Sequence, residues 1–159
     1  MKIVIHCIGK LKESYWKEAV AEYAKRLSSY CQVVFAEHPD LPTPENASFK
    51  LEQEIKTKEC EMILKALKPT DFLAILDLNG KEMTSPEFSL TLIESLKKGG
   101  STLHFAIGGS LGLSEAIKER ANISISFGRL TYPHQQMRVM LLEQIYRGFK
   151  ISRGEPYHK

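Results

Sequence analysis

Most of the side chains that could do chemistry in this sequence fall in two loops and one short tail. Gly108-Gly109-Ser110-Leu111-Gly112 is a glycine-rich turn, a composition that lets backbone approach a ligand closely and adopt positive φ. It matches neither the dinucleotide fingerprint nor a phosphate-binding P-loop, because the glycine spacing differs and no Gly-Lys-Ser/Thr follows. Alone, it is as compatible with a tight strand-to-helix connection as with a ligand site. Phe127-Gly128-Arg129-Leu130-Thr131-Tyr132-Pro133-His134-Gln135-Gln136 mixes glycine, basic, aromatic and hydroxyl residues just ahead of a helix. Unpaired backbone N–H groups at such a helix start suit an anionic or polar ligand. The tail Arg153-Gly154-Glu155-Pro156-Tyr157-His158-Lys159 offers rings that stack on a base and an imidazole that titrates near neutral pH. On composition alone a frayed terminus is the favoured reading.

Other candidates are weaker. His6 and His104 lie inside apolar runs and read as satisfied core or surface residues, and His38 beside the proline-rich loop is uninformative. No two histidines stand at i, i+4 on a helix, and the cysteines at 7, 31 and 60 have no metal-ligand spacing, so they read as small core residues of a reduced protein. No Gly-x-Ser-x-Gly elbow is present, and Ser110 is a poor nucleophile.

The elements that must position these loops follow from periodicity. Met1–Ile8 reads as a central strand ended by Gly9. Ser14 caps a helix over about 15–30, with Trp16, Ala19, Val20, Tyr23, Ala24 and Leu27 on its apolar face. Strands are expected at 32–36, 72–76, 103–107 and 123–127, the third of the five being apolar enough to be buried on both faces. Residues 77–81 read as a turn. Asn46 or Ser48 starts a helix to about Leu67, stopped by Pro69, whose alternating charges from Lys50 to Lys65, Glu59 included, mark a solvated face. Ser85-Pro86-Glu87 opens a helix that Gly99-Gly100 ends, Ser114 caps a short helix to Arg120, and the last helix runs from His134 to about Ile151. Strands alternating with helices imply an α/β sandwich with a mostly parallel sheet. Ligands then bind beyond the strands' carboxyl ends, at the loops after Leu76, Ile107 and Phe127.

The chain has 159 residues, 43% hydrophobic and 26% charged, which fits one globular domain over 1–159 with a packed core. No run approaches the roughly 18–20 apolar residues of a membrane span, and the N-terminus lacks a secretory signal, so a cytoplasmic protein is expected. The net charge of +3 is confined to the C-terminal segment: Arg138, Arg147, Lys150, Arg153 and Lys159 face only Glu143 and Glu155 after position 137. That excess suggests a phosphate-rich partner.

Several segments together resemble the SPOUT superfamily of RNA methyltransferases, over essentially the whole chain. They are Ile-x-Cys-Ile-Gly-Lys-Leu-Lys over residues 5–12, Ile-Gly-Gly-Ser-x-Gly at 107–112, Leu-Thr-Tyr-Pro-His-Gln at 130–135, Glu-Gln-Ile-Tyr-Arg-Gly-Phe-Lys-Ile at 143–151 and the terminal Pro-Tyr-His-Lys. The likeness is to the branch that methylates N3 of a pseudouridine in helix 69 of 23S rRNA, on the assembled ribosome. It implies a three-layer α/β sandwich with a C-terminal trefoil knot, S-adenosylmethionine as methyl donor without a metal, and a homodimer. By position it implies that Leu76, Gly108, Phe127, Gly128, Arg129, Leu130, Thr131 and Tyr132 contact the cofactor. His158 is then a candidate base, Tyr157 a group that stacks on or hydrogen-bonds the target base, and Arg147 a group that stabilises the anion or holds a phosphate. His134, a second candidate base, and Arg153 are expected on the substrate side.

Two rival readings keep the RNA context: a SPOUT methyltransferase acting on tRNA, and a non-catalytic RNA-binding or ribosome-assembly module. A dinucleotide oxidoreductase is disfavoured, because the first strand is not followed by the glycine fingerprint.

Overall fold

A computed structural model of the chain describes residues 1–158. Five strands and five helices alternate strictly: β1 Lys2–Ile8, α1 Ser14–Leu27, β2 Gln32–His38, α2 Phe49–Lys65, β3 Leu73–Glu82, α3 Ser85–Lys98, β4 Thr102–Ile107, α4 Glu115–Arg120, β5 Ile123–Ser126 and α5 His134–Ser152. The strands form one sheet in the order β2-β1-β4-β3-β5, and every pairing is parallel. The expected mostly parallel sheet is thus wholly parallel.

Alternation along each strand divides the core into two layers. Ile3, Ile5 and Cys7 of β1, Leu103, Phe105 and Ile107 of β4, and Ile125 of β5 face α1, α3 and α5. Ile8, Leu73, Ile75 and Ala106 face the other way, against Cys60 and Ile63 of α2, Ile117 of α4, and Leu113. Helices on both faces are what make near-continuous apolar strands stable, since neither side meets water. The cysteines at 7, 31 and 60 are buried and unpaired, as core residues.

α5 is the keystone of the thicker layer. Its buried positions 138, 141, 142, 145, 148 and 149 repeat at helical spacing and turn one face inward. It crosses α3 closely at Gly148, where an added Cβ would stand 3.0 Å from Leu92 Cδ2, and the Ser89 hydroxyl donates to the Gly148 carbonyl at 2.6 Å. On the other side Phe149 stacks on Tyr30, with ring centroids 5.4 Å apart.

Several boundaries differ from expectation for local reasons. α1 stops at Leu27, because Ser28, through both its backbone N–H and its hydroxyl, bonds back to Lys25 O and turns the chain. Glu13, not Ser14, occupies the N-cap position of α1. α3 is capped by Thr84, one residue before the expected Ser85, in a reciprocal box with Glu87. Ser48 caps α2 by accepting from Leu51 N–H. The expected turn at 77–81 lies instead within β3. Leu76 and Lys81 both register with Ile125, so the residues between them bulge out while the strand resumes on the far side. Gly80 is obligatory there: a Cβ would come within 2.6 Å of the Ile125 carbonyl carbon.

One charged residue expected at the surface is interior, and three histidines line up across the sheet. Glu59, read as part of a solvated charge pattern, is 2% exposed and accepts a hydrogen bond from Leu41 N–H at 3.0 Å. It anchors the proline-rich loop to α2, and its burial raises its pKa. His38, His6 and His104 form a row across β2, β1 and β4, with ring nitrogens 3.1 and 3.0 Å apart and rings stacked at 18°.

Candidate functional site

The three loops singled out by composition converge beyond the carboxyl ends of the strands. Together they wall a cavity of about 650 Å³, within the roughly 300–1,000 Å³ usual for small-molecule and cofactor sites. Leu76 to Leu78 form one wall, Ile107 to Leu113 a second, and residues 125–128 with Leu130 to Gln135 a third. Bulging of β3 after Leu76 creates the first wall. The second is a tight reversal: Gly109 and Gly112 form an antiparallel bridge, and Gly112 N–H donates to Gly109 O at 3.1 Å. At Gly108 a Cβ would sit 2.6 Å from the Gly112 carbonyl carbon, so only glycine lets this loop close. The third wall is shaped by Gly128 at φ +108, a conformation side chains resist. Ser126 Oγ holds this corner by accepting from Gly128 N–H at 3.2 Å.

Of the residues expected at the cofactor, Leu76, Gly108, Phe127, Gly128, Leu130, Thr131 and Tyr132 line this cavity. Arg129 does not line it; its side chain points to solvent from the positive-φ corner. His134, expected on the substrate side, also lines the cavity. Its Nδ1 is buried without a hydrogen-bond partner. Burial, then the nearby Arg138 guanidinium, lowers its pKa, so the imidazole is neutral at pH 7 and able to accept a proton.

The expected catalytic trio gathers elsewhere. Arg147 bonds Glu143 at 2.6 Å through Nη2, lies 4.7 Å over the Tyr157 ring and approaches His158 Nδ1 at 3.3 Å. Tyr157 donates to Glu143 Oε1 at 3.1 Å. Burial, then Glu143, pushes the Tyr157 phenol up to about 12, so at neutral pH it donates and does not act as a base. These side chains meet around Glu143, which lines a second cavity of about 550 Å³ with Tyr23, Met83, Phe88, Met140 and Gln144. The two cavities share the wall Ile125, Ser126, Phe127 and Gly128. Within one chain, then, the tail lies next door to the first cavity rather than in it. Arg153 is farther off, stacked 4.4 Å over Tyr30.

The C-terminal basic excess is also less free than the sequence suggests. Arg138 is fully buried against Glu37, Arg147 pairs with Glu143, and Lys150 with Glu155, which Arg153 also faces at 3.9 Å. Lys159 lies outside the described residues. Arg138, Glu37 and Glu59 are the supporting groups that sequence reasoning missed. The only available signal was that Arg138 occupies an inward position of α5.

No helix among the described residues is long and apolar enough to cross a membrane. The family model described as a predicted SPOUT methyltransferase matches residues 1–158. The chain is 52% identical to ribosomal RNA large subunit methyltransferase H of Clostridium acetobutylicum and 54% identical to its namesake in Clostridium tetani, each over the full length of both proteins. It is 54% identical, again over both full lengths, to the protein of that name in Clostridium botulinum strain Kyoto. A match over nearly every position, on a parallel α/β sandwich whose glycine-shaped loops wall one cavity, places this chain in the SPOUT methyltransferase family.

Proposed function

We propose that the whole chain acts as a single SPOUT domain that transfers a methyl group from S-adenosylmethionine to N3 of a pseudouridine in helix 69 of 23S rRNA, in the cytoplasm and on the assembled ribosome. The observation that carries the reading is the cavity where Leu76, Gly108 and the 127–132 segment converge. Its bare glycine backbone and apolar walls suit a ligand with a flat heterocycle and a short polar chain, so the residues present fit the cofactor. Leu76, Gly108, Phe127, Gly128, Leu130, Thr131 and Tyr132 would hold it, with Arg129 outside at the rim. Bound there, the cofactor supplies an electrophilic methyl group on a sulfonium.

The protein's own work is positioning, exclusion of water and handling of one proton. N3–H of the pseudouridine is a weakly acidic imide, and a neutral imidazole can take its proton. His134 meets that requirement at the cavity, and His158 in the tail is the other candidate. Arg147 would stabilise the anion or hold a phosphate, Arg153 would meet the substrate backbone, and Tyr157 would stack on the target base. The tail trio stands beside the adjoining cavity, which supports a homodimer in which one chain's tail completes the site of another. A C-terminal trefoil knot, as in the superfamily, would hold the 127–133 segment against the two other loops. It is consistent with β5 lying beside β3 while α5 returns between α1 and α3.

The pairing of Arg147, Lys150 and Arg153 with Glu143 and Glu155 favours the ribosome over isolated RNA. With these cations engaged internally, the C-terminal segment of one chain offers little charge for gripping naked RNA. Titration calorimetry with S-adenosylmethionine, followed by nucleoside mass spectrometry of methylated rRNA, tests the reading. Saturable binding and N3-methylpseudouridine are expected, and no binding would favour a non-catalytic RNA-binding or assembly module.

A further inference from the structure

α5 begins without local support. Its N-cap is Pro133, no side chain caps the first turn, and no acidic residue stands there to meet the helix dipole. Yet this turn carries His134, Gln135 and Met137 on the cavity wall. What fixes it is one residue further on. The Arg138 side chain is 0% exposed, the largest side chain so completely buried. Nη1 donates to Glu37 Oε1 at 2.8 Å, and Nη2 donates to the carbonyls of Gly9 at 2.8 Å and Ile8 at 3.3 Å. One guanidinium thus ties α5 to the carboxyl ends of both β1 and β2. Gly9, at φ +77, brings its backbone against the His134 ring, with Cε1 3.7 Å from where a Cβ would stand. Arg138 Nε is buried without a partner, so the group is not placed for maximal hydrogen bonding.

A buried guanidinium paired with a partly exposed carboxylate is a weak way to stabilise a core, since apolar residues of similar volume often serve as well. Its retention between two strand ends and the helix that walls a ligand cavity calls for another role. We propose that Arg138 is a positioning residue for the cofactor cavity: its fork, held by Glu37 and the Ile8 and Gly9 carbonyls, sets where α5 starts and so where Leu130 to Met137 stand. The inference rests on reading that cavity as the S-adenosylmethionine site. Lysine cannot replace it, because a single ammonium on a flexible stem does not reach a carboxylate and two carbonyls in one fixed plane.

The test compares the full-length protein with the double variant Glu37→Leu/Arg138→Met, which removes both charges together, and with Arg138→Lys. Three quantities are read: melting temperature, S-adenosylmethionine Kd by calorimetry, and hydrogen–deuterium exchange of residues 128–137 without cofactor. The double variant is expected to melt within a few degrees of wild type, bind S-adenosylmethionine at least tenfold more weakly and exchange faster at 128–137. Arg138→Lys, the milder change should the double variant not fold, is expected to weaken binding at least threefold. Unchanged Kd and exchange in either folded variant would overturn the proposal, leaving Arg138 a purely structural tie. A wild-type protein that binds no S-adenosylmethionine would instead overturn the functional reading on which it stands.

Discussion

His6 Nε2 lies 3.0 Å from Nδ1 of His104, and that contact sets the protonation pattern of three strands. His104 Nε2 faces the Asp71 carboxylate at 3.6 Å, so that nitrogen carries the proton and Nδ1 accepts from His6. His6 Nδ1 is then free to accept from His38 Nε2, 3.1 Å away. The lowered pKa values favour neutral rings, and with neutral rings this geometry suits hydrogen on each Nε2, so each link depends on the next.

Acid should therefore weaken the fold before carboxylates titrate. Burial, then His104 and His38, lowers the His6 pKa from 6.5 to about 4, and burial lowers those of His38 and His104. The unfolded chain binds more protons between those values, so stability is full above about pH 6.5 and declines as pH falls toward 4. Thermal melts from pH 7.5 to 4.5 should show a falling melting temperature, and His6→Leu should flatten the dependence. A melting temperature that holds steady over this range would contradict the neutral row.

Gly108→Ala should disable the cavity more than the fold. The added carbon would lie 2.6 and 2.7 Å from the Gly112 carbonyl carbon and oxygen, so the loop must open. S-adenosylmethionine affinity is expected to drop at least tenfold, for a stability loss of about 1–3 kcal/mol. Calorimetry beside a denaturant melt separates the two, and intact affinity would mean that the loop does not touch the cofactor.

Phe149→Ala should cost about 3–5 kcal/mol, the usual range for emptying a buried aromatic site. Phe149 is 1% exposed and holds Tyr30, over which Arg153 in turn stacks. Urea unfolding would check the figure; a loss under about 1 kcal/mol would show that α5 repacks freely.

In the tail, Tyr157→Phe should leave turnover within a few-fold of wild type, since the ring over Arg147 remains, whereas Tyr157→Ala should lower it at least tenfold. His158→Ala should lower turnover at least tenfold with cofactor Kd unchanged. Single-turnover rates on ribosomes check both. Full activity of the His158 variant would leave His134 as the base.

The order of elements and the location of the site were legible because the central strands are near-continuous apolar runs and each helix starts or stops on glycine, proline or a hydroxyl residue. Composition alone drew attention to residues 108–112 and 127–136, where backbone must approach closely, and these do form two walls of the cavity. Hidden from it was whatever depends on long-range packing. Arg138 and Glu37 are 101 positions apart, and beyond the inward helical position of Arg138 nothing local marks their pairing. Glu59 fits a charge alternation that reads as solvated until the proline-rich loop folds over it. The bulge in β3 has the sequence of a turn, Asp77-Leu78-Asn79-Gly80, and pairing with β5 on both sides overrides that local preference.

Methyl transfer from labelled S-adenosylmethionine to intact ribosomes, free large subunits and tRNA, with the modified nucleoside identified by mass spectrometry, tests the central claim most directly. N3-methylpseudouridine is expected with intact ribosomes, and little or none with the other acceptors. Label on tRNA, or no transfer to any acceptor, would contradict the claim.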